Sequence, residues 1–291
     1  MLPAWKTFSW SSPEVKAMIR MIGAELFKLR KRGMTRILLF VLMGMLAILY
    51  LILYAVSRAN VSTGPGGPGP VDLQTVLGLP VAIPFALNIL ASLGTVLAVI
   101  LIASAMGNEY NWRTIRNTVT ASESRFKLLG AKLISSFIFI IIGMVIGVIT
   151  GFAMSLLTTA LGGNGFNFSF FTGSYAWDQF LQFWRTFFVM LPFIFLGFML
   201  SIAGRSAMPG IALGIGVLFF EPIITGLMTL AGGWVANIPN FLLGANVRAI
   251  TALADLPAGF RGGIGGASDS TTPSAIHATI VLSIYAVAFV T

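Results

Sequence analysis

The sequence has no cysteine, so disulfide bonds, thiolate metal sites and cysteine nucleophiles are excluded. It has a single histidine, His277, and one histidine without cysteines or neighbouring carboxylates makes a poor metal site. Axial ligation of a pigment or haem is one interpretation of His277. A hydrogen bond at a membrane interface is the other. We therefore predict no metal centre in this chain.

Catalytic signatures are missing as well. The sequence contains no G-x-x-x-x-G-K-[ST] phosphate loop, so the chain does not bind ATP by that device. It also contains no H-E-x-x-H, G-x-S-x-G or paired-carboxylate arrangement. We predict that the chain is not an enzyme by itself and needs no cofactor.

Charged residues are scarce, at 9% against 57% hydrophobic residues, and the mean hydropathy of +0.92 excludes a water-soluble fold. A bilayer core of about 30 Å is crossed by roughly 20 apolar residues in a helix, because backbone groups in lipid need internal hydrogen bonds. The sequence predicts an all-α integral membrane protein with six transmembrane helices in residues 34–291, after an interfacial helix in residues 1–33. The predicted spans are 34–57, 79–106, 133–161, 180–203, 208–230 and 274–291.

Lysine and arginine positions predict the orientation of these spans. If the N-terminus is cytoplasmic, only four of the 18 basic residues lie on or near the outer side. Because basic residues concentrate on the cytoplasmic side, both termini are predicted to be cytoplasmic. The net charge of +9 then reflects this orientation and contact with anionic membrane lipids, and we expect no nucleic-acid partner. The four exceptions are Arg58, Arg185, Arg248 and Arg261.

The segment before the first span has the pattern of an amphipathic helix. Its apolar residues recur mostly three or four positions apart, and its charged residues, including Glu25, Lys28 and Arg30, occupy much of the remainder. Such a helix lies along the inner interface. It is either a juxtamembrane basic anchor or an elbow helix that also contacts a cytoplasmic partner. The apolar set is Val15, Met18, Ile19, Ile22, Leu26 and Leu29.

Small residues line one face of the third span at four-residue steps, namely Gly143, Gly147, Gly151 and Ser155. Such a face permits close approach of another helix, either inside the protein or across a dimer seam. The long outer connection 232–273 is apolar in its first half, which predicts a re-entrant or interfacial helix pair within Trp234–Leu256.

Glu221 is the one carboxylate deep in a predicted span, and Pro222 follows it. An ionisable residue inside a membrane is costly and is first interpreted as functional. Glu221 is therefore a candidate for the lining of a substrate path, or for a partner of Arg185 or Arg248. The alternative is that it caps the helix break at Pro222 or lies at the outer interface.

The cytoplasmic segment 107–132 contains the most informative motif. It begins with an acidic and an aromatic residue, Glu109 and Tyr110, and ends with Ser-Arg-x-x-x-Leu-x-x-Lys from Ser124 to Lys132. This order resembles the cytoplasmic hairpin of type-2 ATP-binding-cassette (ABC) permeases, although Arg113 stands where many of them have glycine. Further parts of the chain are similar to that family: Glu25–Arg30, Phe220–Pro222 and the apolar stretch from Trp234 to Leu253.

The resemblance implies a half-transporter in a bacterial cell (inner or plasma) membrane. A second copy or a paralogue of the permease would pair with the chain, and a separate P-loop ATPase subunit would bind below it. The coupling segment would seat in the ATPase, and the elbow helix would brace that contact through Glu25, Lys28 and Arg30. The implied coupling residues are Glu109, Tyr110, Trp112, Arg113, Thr114 and Arg116.

From this resemblance the predicted function is export of a hydrophobic or amphipathic substrate. The few polar residues in the spans argue against a strongly hydrated, highly charged substrate. The alternative from another class is a permease-like structural or assembly subunit without transport activity, because fold does not determine function. A proton-driven secondary transporter is disfavoured, since the spans show no inverted repeat with broken helices.

Overall fold

The computed structural model describes residues 13–59, 76–111, 125–163, 165–254, 256 and 273–290. Regular structure within these ranges is entirely helical, which confirms the predicted all-α class. Two 3-10 helices, Leu79–Val81 and Gly233–Phe241, and one π-helical turn, Leu90–Gly94, join the α-helices. The α-helices are α1 Pro13–Lys31, α2 Gly33–Arg58, α3 Ala82–Ile89, α4 Thr95–Asn111, α5 Arg125–Leu161, α6 Gly173–Ala203, α7 Ala207–Ala231, α8 Leu243–Thr251 and α9 Ala275–Ala288.

Five helices in the described ranges are long and apolar enough to cross a membrane, so the chain is a multi-pass membrane protein. The last apolar helix, α9, has 14 residues and spans roughly 21 Å at the helical rise of about 1.5 Å per residue, less than a bilayer core. The six-span count and the orientation stay predictions. The five candidate spans are Gly33–Arg58, Leu79–Gly107, Leu129–Leu161, Gly173–Ala203 and Ala207–Ala231.

The second candidate span, Leu79–Gly107, forms the centre of the bundle. In its most apolar window 72% of the residues are buried, against 17% in α2 and in α7. Its α4 part packs against both α6 and α7, and its α3 part packs against α5. The peripheral helices α2 and α7 therefore expose apolar side chains, as lipid-facing or partner-facing helices do.

The small-residue face of the third span packs inside the protein. A Cβ added at Gly147 would press on Leu90, and one added at Gly151 would press on Ala86. The hydroxyl of Ser155 donates a hydrogen bond to the carbonyl of Leu77 at 2.7 Å. Of the two interpretations of this face, internal packing therefore applies to its last three positions, whereas the space beside Gly143 is open.

The apolar half of the outer connection folds into two short helices, the 3-10 helix Gly233–Phe241 and α8. They pack against the ends of α6, α7 and α9. Asn246, fully buried in α8, holds the pair together because its side-chain amide donates to the carbonyls of Asn240 at 2.9 Å and Leu242 at 2.6 Å. The helix pair that the sequence predicts is present, and its depth in a membrane stays a prediction.

Candidate functional site

A buried ion pair joins α1 to the start of the third candidate span. Nζ of Lys132 in α5 lies 3.1 Å from Oε2 of Glu25 in α1, and both residues are almost fully excluded from solvent. Nζ of Lys28, one turn along α1, lies 2.6 Å from the other carboxylate oxygen. The apolar face of α1 positions Glu25, because the neighbouring Leu29 is buried and α1 packs along α5. Arg30 is exposed on the same helix.

The two lysines decide the ionisation of Glu25. Burial raises the pKa of this carboxyl, because a charged group loses hydration. Lys132 and Lys28 each lower this pKa, through their positive charges and through hydrogen bonds to the carboxylate. Together they outweigh the effect of burial, so the pKa of Glu25 lies below its ordinary value. Glu25 is therefore a carboxylate at neutral pH, and α1 is tied to α5 by opposite charges.

This pKa predicts how stability depends on pH. The folded pKa of Glu25 is lowered, so the unfolded chain binds the proton first as the pH falls. The stabilisation is complete above the ordinary glutamate pKa of about 4.3 and is lost as the pH falls through the lower folded value. Between about pH 6 and pH 3, the range over which glutamates titrate, we expect the melting temperature of the wild type to fall more steeply than that of Glu25→Gln. The measurement is tryptophan fluorescence of both proteins in detergent. Parallel curves for the two proteins would contradict the assigned pKa shift.

The predicted coupling segment lies between α4 and α5, the helix that carries Lys132 of this ion pair. Glu109 and Tyr110 belong to the last turn of α4, and their side chains are outside the described part of the chain. Trp112, Arg113, Thr114 and Arg116 also lie outside the described residues. The helix α5 begins at Arg125, and Lys132 follows two turns later. The segment thus leads directly into the helix that carries Lys132.

The other end of the coupling segment is in tight contact with the fifth candidate span. Gly107, near the end of α4, packs so closely on the backbone of Ala207, the first residue of α7, that a Cβ at this position would overlap the Ala207 N and Cα atoms. Only glycine permits this approach without a shift of one helix. Residues 107–132 therefore connect a position fixed against α7 to a position fixed against α1.

Glu221 lies in α7 and is 7% exposed. Its Oε1 accepts a hydrogen bond from the backbone N–H of Gly244, in the first turn of α8. A Cβ at position 244 would stand 3.2 Å from that oxygen, so glycine gives the carboxylate room. The described contacts thus place Glu221 at the N-terminus of α8, where a negative charge is favourable. A role in a substrate path stays a prediction.

His277 lies in the first turn of α9 and also contacts the outer helix pair. Its Nε2 is 3.0 Å from the carbonyl oxygen of Asn240, and its ring meets the ring of Phe241 edge-on at 5.4 Å between centroids. This is a hydrogen-bonded arrangement at the end of the bundle that is predicted to face outward. Haem or pigment ligation, the other interpretation of His277, is not tested by these contacts.

Sequence reasoning did not single out a polar pocket between α3, α6 and α8. Its walls include Asn88, Gln182, Arg185, Thr186 and Thr251, and its volume of about 10 Å³ is near the minimum that can hold one water molecule. Nδ2 of Asn88 is buried and has no hydrogen-bond partner among the described residues. The π-helical turn that begins two residues later marks an irregularity of the kind found near functional sites. No sequence signal predicts that turn.

One family model matches residues 78–291, more than half of the chain; its description is "Protein of unknown function (DUF2705)". The chain belongs to the DUF2705 family. The search of curated proteins gives no match. The DUF2705 region includes Lys132, Glu221 and His277, whereas α1 and α2 precede it. The ion pair between Glu25 and Lys132 therefore ties the DUF2705 region to the helix before it.

Proposed function

We propose that this chain is the membrane-spanning permease subunit of an ABC-type exporter that moves a hydrophobic or amphipathic substrate. A separate P-loop ATPase subunit supplies the energy, and a second copy or a paralogue completes the path. In this proposal the coupling segment contacts the ATPase, and α1 moves with it.

The observation that carries the proposal is the buried contact between Glu25 and Lys132. A partner that pushes on the coupling segment has to move a rigid body, because a flexible link would absorb the displacement. The ion pair and the packing of α1 along α5 make these two helices one such body, directly after the segment. A loop whose basic residues served only to orient the protein in the membrane would not need a buried carboxylate next to it.

The contact of Gly107 with Ala207 supports the proposal at the other end of the segment. It joins the end of α4 to the beginning of α7, and α4 also packs along α6. A displacement of the segment would therefore reach the centre of the bundle through α4 and its periphery through α5. Rigid-body rocking of helices on this scale is a common way to switch between two states.

The test is affinity purification of the full chain from its native membrane, followed by mass spectrometry of the subunits that remain bound. We expect a stoichiometric P-loop ATPase. Arg116→Ala should reduce its recovery by about tenfold, the effect of losing an interface residue that contributes more than 1 kcal/mol. Arg205→Ala is the matched control, since Arg205 is an exposed cation on the same predicted side but outside the segment, and it should leave recovery unchanged.

Two outcomes would contradict the transporter proposal. One is recovery of an integral membrane complex without any ATPase, which would favour the structural-subunit alternative. The other is equal loss of ATPase from Arg116→Ala and Arg205→Ala, which would show that the segment has no special part in the contact.

A further inference from the structure

A charged cleft lies where α1, the beginning of α2 and the middle of α5 meet. Its volume is about 720 Å³, within the range of roughly 300–1,000 Å³ of small-molecule sites. Three basic side chains line it, and the rest of its wall is mainly aromatic and aliphatic. The residues used below are Phe27, Arg30, Lys31, Arg36, Phe40 and Phe139.

The surface of the cleft is mostly apolar, and the charged residues along it are all basic. No acidic residue is among those that line it, and no described carboxylate forms an ion pair with Arg30, Lys31 or Arg36. Glu25, on the same helix, is already bound to Lys28 and Lys132. The Arg36 guanidinium donates to the carbonyl of Lys31 at 3.2 Å, and Lys31 lies over the ring of Phe27 at 5.2 Å. Three gathered cations without a described acidic partner are complementary to an anion.

An apolar slot continues from the cleft into the bundle. It is a cavity of about 60 Å³ that shares Thr35, Leu39 and Phe139 with the cleft. It runs between α2, α4 and α5 and reaches Gly143, where a Cβ would find no atom within 4 Å. A ligand that fits both parts has an anionic head and an apolar chain.

We propose that an anionic phospholipid of the surrounding membrane binds here, with its phosphate among Arg30, Lys31 and Arg36 and one acyl chain entering the slot. Exposed Phe40 and partly buried Phe139, with the apolar face of α2, give the rest of that chain an apolar surface. Basic residues at the cytoplasmic interface attract anionic lipids, and the paired cleft and slot add a fixed position for one molecule. This site does not depend on the transport proposal.

The test is mass spectrometry of the intact full-length chain released from detergent, after titration with palmitoyl-oleoyl phosphatidylglycerol or the matched phosphatidylcholine. We expect one tight phosphatidylglycerol adduct, weakened by about 10- to 30-fold in Lys31→Gln/Arg36→Gln. The control, Arg20→Gln/Arg205→Gln, removes the same net charge from exposed positions outside the cleft and should keep the wild-type affinity. Both double variants are compared with the wild type for elution volume and melting temperature, so that a misfolded protein is recognised.

A second variant tests the slot alone. Gly143→Leu fills the apolar cavity and leaves the three cations in place, so it should weaken palmitoyl-oleoyl phosphatidylglycerol but not the short-chain dihexanoyl form. Equal affinity for phosphatidylglycerol and phosphatidylcholine would overturn the proposal, and so would equal losses in the two double variants. Lipid-free dimers in which a second copy covers the cleft would overturn it as well.

Discussion

Lys132→Met should lower the stability of this protein substantially, although methionine matches lysine in length and suits a buried position. Removal of one partner from a buried ion pair costs about 3–5 kcal/mol, because the other charge stays buried. Lys28 still neutralises Glu25 in part, so we expect about 3 kcal/mol, the lower end of that range. For a chain of this size that corresponds to a fall in melting temperature of about 6–12 °C, measured by tryptophan fluorescence in detergent.

The same carboxylate offers the matched control. Lys28 contacts Glu25 at the shorter distance, but its side chain is 48% exposed, against 2% for Lys132. Exposed ion pairs contribute at most about 1 kcal/mol, so Lys28→Gln should change the melting temperature little. The double variant Glu25→Leu/Lys132→Met should recover much of the loss, because it leaves no buried charge without its partner. Equal shifts for Lys132→Met and Lys28→Gln would show that burial is not what makes the contact with Lys132 strong.

The sequence is most informative about this protein where local patterns are long. Runs of apolar residues predict the five long helices, because a membrane-spanning helix needs about 20 of them together. The amphipathic period predicts α1. That pattern, however, places Glu25 on the polar face of α1, as one of several charged residues. Its burial depends on Lys132, 107 positions away, and no local pattern reports such a contact.

The site residues show the same limit. The sequence alone allows several interpretations of Glu221. Its hydrogen-bond partner is a backbone N–H 23 positions further along the chain, and the sequence does not show that contact. Asn88 is one polar residue in an apolar run, and only the packing of α6 and α8 around it makes a polar pocket. The charged cleft likewise joins residues of α1 and α2 to Phe139 in α5. Residue types indicate which chemistry a side chain can perform, but they do not predict which distant helices pack together.

Gly107→Ala tests a tight backbone contact between distant helices and should have an effect as large as that of Lys132→Met. The added Cβ would overlap the backbone of Ala207, and a backbone cannot rotate away as a side chain can. Overpacking commonly costs about 1–3 kcal/mol, and we expect about 3 kcal/mol or more here, because α4 and α7 have to separate. The melting temperature and hydrogen exchange at the start of α7 report this directly.

Gly130→Ala is the control for that substitution, and its expected effect has the opposite sign. Gly130 lies in α5, where a Cβ would meet no atom within 4 Å, so alanine adds no contact. Alanine is favoured over glycine in a helix by about 1 kcal/mol, which should raise the melting temperature slightly. A Gly107→Ala protein that melts at or above the wild-type temperature would show that α4 and α7 are not held together at this point. The proposed displacement of residues 107–132 by an ATPase would then have no direct path through Gly107 into α7, and only the contact of Lys132 with α1 could transmit it.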